Sequence, residues 1–512
     1  MILGIELGST RIKSVLTDEK GNVLASGGHE WENSLVDGLW TYSLDEVWDG
    51  LQKSYASLAA DWKKKSGEEI ERLDAIGVSA MMHGYLAFDK ADNLLVPFRT
   101  WRNTNTAQAA EELTAALGFN MPQRWSASHY YQAVLNGEKH VGDVAFLTTL
   151  SGYVHWKLTG KKVLGVGDAS GMFPVSNGNY NSDMIQKYNA LLKAHGVEKD
   201  LKKLLPKILI AGQNAGALTN EGAALLDKSG KLQKGAICCP PEGDAGTGMV
   251  ATNAVRARTG NVSAGTSAFA MIVLEKPLQK VYPEIDVVTT PSGLDVAMVH
   301  VNNCTSEINA WAKIFGEAAE LLGAKFDKGE LFEKLFKISA ESDGETGKLF
   351  ACNFLSGEPT VKIQEGRPMF LRLPDGNMNL ANFMQAQIYS ALATLHIGME
   401  ILAEENVKVD SVCGHGGFFK TAFIGQNAMS AALGAPVTVR KNAGEGGAFG
   451  IAVLALYCLN NVVSLEDFLD ELYAEEETTV VRASEEEKAK FAAFMRRYKL
   501  GLQVEKTASE VL

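Results

Sequence analysis

The chain lacks the marks of several common protein classes. It has six cysteines in 512 residues, with no C-x-x-C pair and no His/Cys cluster at zinc-like spacing, which excludes the usual zinc modules. A chain this long has no need of a disulfide scaffold, so reduced thiols in a cytoplasm are the expectation. No G-x-x-x-x-G-K-[ST] occurs anywhere, so any bound nucleotide is not held by a P-loop. Basic residues are in deficit, 49 against 61 acidic ones, for a net charge of −12. That argues against nucleic acid or an anionic membrane as the main partner. The longest apolar run, near Gly447 to Leu459, has the length of a core helix and is too short to span a bilayer. Glu6 places a charge too early for a secretory leader.

What is present describes an ordinary globular protein, with 46% apolar and 21% charged residues. The length exceeds what one hydrophobic core usually supports, so two domains are expected. Ile2 to Leu16 reads as a β-hairpin turning at Gly8-Ser9-Thr10, with a further strand after Gly21-Asn22. Asp45 to Lys64 has helical periodicity, and Asp74 to Ala80 reads as a buried strand running into Met81-Met82-His83-Gly84. This strand–helix–strand order predicts an α/β sheet with ligand loops at its strand ends. Farther on, Asp295 to Asn303 reads as a strand, Ser306 to Leu322 as a helix and Cys352 to Glu358 as a strand entering a loop. Asn379 to Glu404, Thr421 to Leu433 and Gly444 to Leu459 read as helices, and Val409 to Cys413 as a strand entering Gly414-His415-Gly416-Gly417. From Ser464 the chain is acidic and helical, and Ser484 with Glu487 forms a capping-box pattern that opens a surface helix.

The stretch from Gly243 to Ile272 stands out. It carries one acid, Asp244, among glycines, then a small-residue helical segment from Ala245 to Ala257, then the turn Gly265-Thr266-Ser267. An acid on a glycine-flanked loop is placed to accept a proton, and a hydroxyl-rich glycine turn is placed to hold phosphate. The plain alternative for Asp244 is a helix cap. There is also an internal echo. Ile5 to Thr10 and Val262 to Ser267 share one order: apolar, polar, apolar, glycine, then two hydroxyl residues. Each opens one half of the chain, as a duplicated α/β domain would.

Nine ordered motifs extend this pattern: Gly4 to Thr10, Met82-His83-Gly84, Trp156 to Gly160, Gly167 to Gly171, Gly243-Asp244, Gly265-Thr266-Ser267, Leu355 to Glu358, Gly414 to Gly417, and Gly446-Gly447-Ala448. In this order the chain resembles the FGGY carbohydrate kinases of the actin/Hsp70-like ATPase superfamily, over roughly residues 2 to 460. The resemblance implies an α/β protein of two RNase H-like domains, with ATP and sugar in a cleft between them. It implies an N-terminal sugar-binding domain over 1–250, an ATP-binding domain over 251–462 and an acidic helical tail over 463–512.

In such kinases the Asp of the Gly-Asp motif is the general base, here Asp244. Gly8, Ser9 and Thr10 and their counterparts Gly265, Thr266 and Ser267 would hold phosphate. Gly414, Gly416, Gly417 and Asn427 would face adenosine. Met82, His83, Trp101, Asn103 and Asp168 would join Asp244 at the sugar, and Glu6 and Asp244 would hold Mg²⁺. The partners implied are ATP and a small sugar, with a pentulose such as xylulose or ribulose as the first expectation, no nucleic acid, no membrane, and a homodimer left open. Three departures stand out. Glu6 replaces the family's usual Asp, Trp101 to Asn105 lacks the acid and the arginine at their usual places, and His415 and Phe418-Phe419 replace small residues. Rival expectations are an actin/Hsp70-like ATPase and a family member that senses a sugar without phosphorylating it.

Overall fold

The computed structural model describes residues 1–421, 423–440 and 446–512. It divides into two compact units. The first comprises Met1–Val255, Lys280–Val296 and Glu445–Glu475, and the second comprises Arg256–Gln279, Ala297–Gly444 and Glu476–Leu512.

In the first unit β1 (Ile2–Leu7) and β2 (Arg11–Thr17) form the expected hairpin, and β3 (Val23–Glu30) continues it. The alternation of Leu3, Ile5 and Leu7 with Gly4 and Glu6 lets one face bury fully while the other faces a helix. The helix α1 (Leu44–Ser66) starts at a capping box between Ser43 and Glu46, and Gly67 in the left-handed region ends it. β4 (Ala75–Ala80), all of it buried, pairs in parallel with β1. Among the helices that follow are α2 (Leu150–Thr159) and α3 (Val166–Ser170). β5 (Ile237–Cys238) and β6 (Glu242–Gly243) then run parallel to β4, so the sheet reads β3-β2-β1-β4 with β5 and β6 on its far edge. Directly after β6 comes α4 (Asp244–Ala251), shorter than the helical run expected to Ala257.

The second unit repeats this order. β7 (Thr259–Ala264) and β8 (Ala268–Val273) form a hairpin, and β9 (Asp295–Val301) lies beyond β8. The helix α5 (Ser306–Leu321) follows, then β10 (Leu349–Cys352), which ends where the sequence led us to start a strand; Asn353 to Glu358 is loop. The 25-residue α6 (Leu380–Glu404), capped by the Asn379 side chain, is buried along most of its length. β11 (Ser411–His415) pairs in parallel with β7, then α7 (Ile424–Leu433) leads to β12 (Val437–Arg440), parallel to β11. Within its seven-stranded sheet, the run β9-β8-β7-β11-β12 follows the strand order of the first unit. The helix expected over 421–433 begins at Ile424, and its residue 422 lies outside the described residues, as do residues 444 and 445 of the expected 444–459 helix.

From there the chain returns to the first unit as α8 (Gly446–Leu459), apolar all round and almost wholly buried. Glycines set how closely it lies. A methyl group on Gly4 would sit 2.1 Å from the Ala448 carbonyl, one on Gly77 2.5 Å from the Ile451 carbonyl, and one on Gly450 2.0 Å from the Thr247 carbonyl. The last stretch differs from the sequence expectation of helix alone. β13 (Thr478–Val481) adds antiparallel to β12, and α9 (Glu485–Val511) buries Phe491, Phe494, Met495 and Tyr498. A helix rich in Glu and Lys reads as surface, and the four apolar anchors show why one face of it is not. Among the described residues no helix is long and apolar enough to cross a membrane.

Candidate active site

Asp244 opens α4 at the end of β6, the strand beside the buried β4. Gly243 is the N-cap, so Asp244 is not the cap that the plain reading allowed. Its Oδ1 accepts from the Met82 N–H (3.2 Å) and the Ala245 N–H (3.0 Å). The residue is half-buried. Burial pushes its pKa up to about 6, against the pull of those N–H groups. It is therefore a carboxylate at neutral pH, yet a better proton acceptor than an exposed aspartate.

Met82 and His83 lie in the loop after β4. His83 takes a positive φ of 68°, and Gly84 one of 85°. A non-glycine residue in that region is strained, and such strain clusters at functional loops. The loop is seated on two glycines of the motifs. A Cβ on Gly243 would meet Met82 Cγ at 2.1 Å, and one on Gly171 would meet His83 Nδ1 at 2.6 Å. His83 is buried, and burial followed by the Arg124 charge lowers its pKa to about 3. It is neutral. Its Nδ1 lies 3.0 Å from the Gly171 carbonyl, which can only accept, so Nδ1 carries the proton and Nε2 is an acceptor.

Asp168 lies on α3, fully buried. Its Oδ2 accepts from the Thr149 hydroxyl (2.6 Å) and the Ser151 hydroxyl (2.5 Å), while its Oδ1 has no partner among the described residues. Burial raises its pKa to about 7, opposed by those hydroxyls and reinforced by the charge of Asp244. Glu242, two residues before Asp244, was missed in the sequence. Its carboxylate accepts from the Gly167 N–H (3.2 Å) and the Asp168 N–H (2.8 Å), and burial, then the Asp168 charge, raises its pKa to about 8. A methyl on Gly165 or Gly167 would collide with it, at 2.2 and 2.5 Å. The signal was there: an acid next to Gly-Asp on a strand otherwise buried.

Glu6 is the polar residue of β1. Its Oε2 accepts from the Ala448 N–H at the start of α8 (3.2 Å). Burial, then the negative charge of Asp244, raises its pKa to about 7. The structure thus brings Glu6, Met82, His83, Asp168, Glu242 and Asp244 into one acidic cluster. The turn Gly8-Ser9-Thr10 is held beside β1 by aromatic donors. Trp31 Nε1 donates to the Gly8 carbonyl (2.7 Å) and the Tyr42 hydroxyl to the Ser9 carbonyl (2.5 Å). Trp101 Nε1 donates to the Ser9 hydroxyl (3.0 Å), so two predicted residues from separate motifs meet. Asn103 is buried, and its amide is taken up by the Trp40 backbone, donating at 2.8 Å and accepting at 2.9 Å. It shapes the hairpin Ser34–Val36/Leu39–Thr41 and not an open surface.

In the second unit the glycines gather around the other turn. Gly416, at φ 102°, lies so close to β7 that a Cβ would meet the Ala264 carbonyl at 2.5 Å. Gly414 packs on the Phe419 ring, which accounts for that aromatic, while Gly265 and Gly417 face open space. Asn427, on α7, lines a small recess of about 40 Å³ with Ser339, Gln385 and Lys490.

The model of the FGGY family of carbohydrate kinases, N-terminal domain, matches residues 1–230, and that of its C-terminal domain matches residues 260–459. The chain belongs to the FGGY family of carbohydrate kinases. As a sugar kinase it is a phosphotransferase with an alcohol group as acceptor, and kinases of this family use ATP. The kinase is 22% identical over 435 residues to a xylulose kinase of Haemophilus influenzae, covering 83% of this chain and 84% of that one. Its fold is similar to that of a xylulose kinase from Lactobacillus acidophilus, with a TM-score of 0.79, 17% identity and 98% of each chain covered. A gluconate kinase from the same organism is as similar, with a TM-score of 0.80, 18% identity and 100% and 99% covered. The fold is common to kinases named for different sugars, so the acceptor has to be argued from the site.

Proposed function

We propose that this kinase transfers the γ-phosphate of ATP to a primary hydroxyl of a small ketose or polyol, a pentulose such as xylulose or ribulose first, with Asp244 as the general base. One observation carries the proposal. Asp244 is a carboxylate whose basicity burial has raised, fixed by the Met82 N–H and flanked by a neutral His83. A base in that state accepts the hydroxyl proton as the oxygen attacks phosphorus. The unpaired Asp168 Oδ1 and the His83 Nε2 are acceptors suited to further sugar hydroxyls, with Met82 and Trp101 as apolar walls and Asn103 acting through the Trp40 hairpin.

On this reading the region 1–250 binds the sugar and 251–462 binds ATP. Gly8-Ser9-Thr10 and Gly265-Thr266-Ser267 hold phosphate through N–H and hydroxyl groups, and Gly414, Gly416, Gly417 and Asn427 face adenosine. Glu6 and Asp244 suit Mg²⁺: both are oxygen donors, and burial, then the charge of Asp244, raises the pKa of Glu6, which supports placing the two near one cation. Among the described residues no group of three or more potential ligands forms a ready-made metal site. On this reading the ion would be held by one or two carboxylates together with substrate phosphates. When bound, the ion would neutralise charge on the transferring phosphate.

The test is ADP release measured against a panel of ketoses, polyols and aldonates. A pentulose should give the highest kcat/KM. ATP turnover that no sugar stimulates would favour the ATPase rival, and sugar binding without ADP release would favour the sensor.

A further inference from the structure

Among the described residues the second phosphate turn has no aromatic donors beneath it. The Gly265 carbonyl accepts from the Thr305 N–H (3.0 Å) and the Thr305 hydroxyl (2.7 Å), and the Thr266 carbonyl accepts from the Cys304 N–H (2.9 Å). Besides its own bond from the Gly265 N–H to the Ser267 carbonyl (2.9 Å), the turn is thus tied to the segment Asn302 to Thr305 that follows β9. That segment is fixed by a carboxylate. One oxygen of Glu358 accepts from the Asn302 N–H (2.9 Å), the Asn303 N–H (3.3 Å) and Asn303 Nδ2 (3.1 Å). Asn303 Oδ1 in turn accepts from the Leu355 N–H (2.9 Å) and the Ser356 N–H (3.1 Å), and Asn353 Nδ2 donates to the Cys304 carbonyl (3.0 Å). Glu358 and Asn303 are buried, at 0% and 4% exposure.

Burying a carboxylate is unfavourable unless several donors converge on it, and one that gathers three of them rigidifies the loop that supplies them. We propose that Glu358 is a positioning residue for the nucleotide phosphates. Through Asn302–Thr305 it sets where the Gly265 and Thr266 carbonyls are tied back, and hence where the N–H and hydroxyl groups of the turn point. It touches no substrate itself. The proposal rests on the reading of Gly265-Thr266-Ser267 as a phosphate clamp.

The test compares ADP with AMP, which lacks the β-phosphate, in calorimetric titrations of the full chain. Glu358→Ala should weaken ADP binding about tenfold and AMP binding less than about twofold, and Glu358→Gln, which keeps an acceptor, should recover most of the loss. Thr305→Val, which deletes only the hydroxyl on the Gly265 carbonyl, should weaken ADP about threefold and keeps the test alive if the Glu358 variants do not fold. Unchanged ADP binding in Thr305→Val, or ADP and AMP weakened equally in either variant, would overturn the proposal. The double variant Thr266→Ala/Ser267→Ala separates the two readings. If it leaves ADP binding intact, the phosphate clamp itself fails; if it weakens ADP while Glu358→Ala does not, only the role of Glu358 fails.

Discussion

The two hairpins that open the two units share a residue pattern and a place in the strand order, yet they are built differently around it. In the first, Leu7 pairs with Ile12, and in the second Ala264 pairs with Ala268, so the second turn is one residue tighter. Ring donors from Trp31, Tyr42 and Trp101 pin the first turn, and the backbone and hydroxyl of a following loop pin the second. The polar strand residue is Glu6 in one and Ser263 in the other. The first copy stands among acids, Glu6 with Asp244 beside it. On the proposed reading, titrating groups beside the first copy suit a division between chemistry in one half and nucleotide holding in the other.

The largest effect should come from removing the proton acceptor. Asp244→Asn should lower kcat by about 10²–10⁴-fold while ADP affinity stays within about twofold, and a turnover near wild type would end its assignment as base. Next, Glu6→Gln should lower kcat/KM about tenfold and raise the Mg²⁺ concentration needed for half activity, whereas Ser263→Ala should do neither. Equal effects of the two would erase the asymmetry between the copies.

The acidic cluster separates activity from stability in pH. As the proposed base, Asp244, raised to about 6, has to be ionised, so kcat/KM should fall as pH drops below about 6. The stability sign is opposite. Glu6 and Asp168 at about 7 and Glu242 at about 8 hold protons more tightly folded than unfolded. Their contribution is full below the unfolded carboxylate range and is lost as pH rises toward 8. The melting temperature of the ligand-free kinase should therefore rise as pH is lowered from 8 to 5.5 while its activity declines; a fall in both would show the cluster ionised throughout. The smallest effect is that of the aromatic pins. Trp31→Phe and Tyr42→Phe each delete one hydrogen bond to the first turn and should lower stability by about 1 kcal/mol, read from urea midpoints.

Much of this was legible in the sequence, because hairpins and helices announce themselves by periodicity. The turn residues, the buried β4 and the Gly-Asp step all follow from local pattern. What was not legible depends on partners far apart in the chain. Glu358 reads as one residue of a motif until Asn302 and Asn303, 56 and 55 positions away, fold onto it. Asn103 looks like a sugar-reading amide until Trp40 takes up its amide. β13 was hidden because Thr478–Val481 is a short edge strand between two acidic helices, and only its pairing with β12 makes it a strand.

The close seat of α8 on β1 has a consequence in time. The Ala448 N–H and the Glu6 carboxylate that it meets are 442 residues apart in the chain. On a ribosome β1 is made early, and Gly4 and Gly77 stay bare until the segments Arg256–Gln279 and Ala297–Gly444 of the second unit have followed them out. At synthesis rates of about 5–20 residues per second that interval is roughly 20–90 seconds. The second unit is complete later still, because its β13 and α9 emerge after α8.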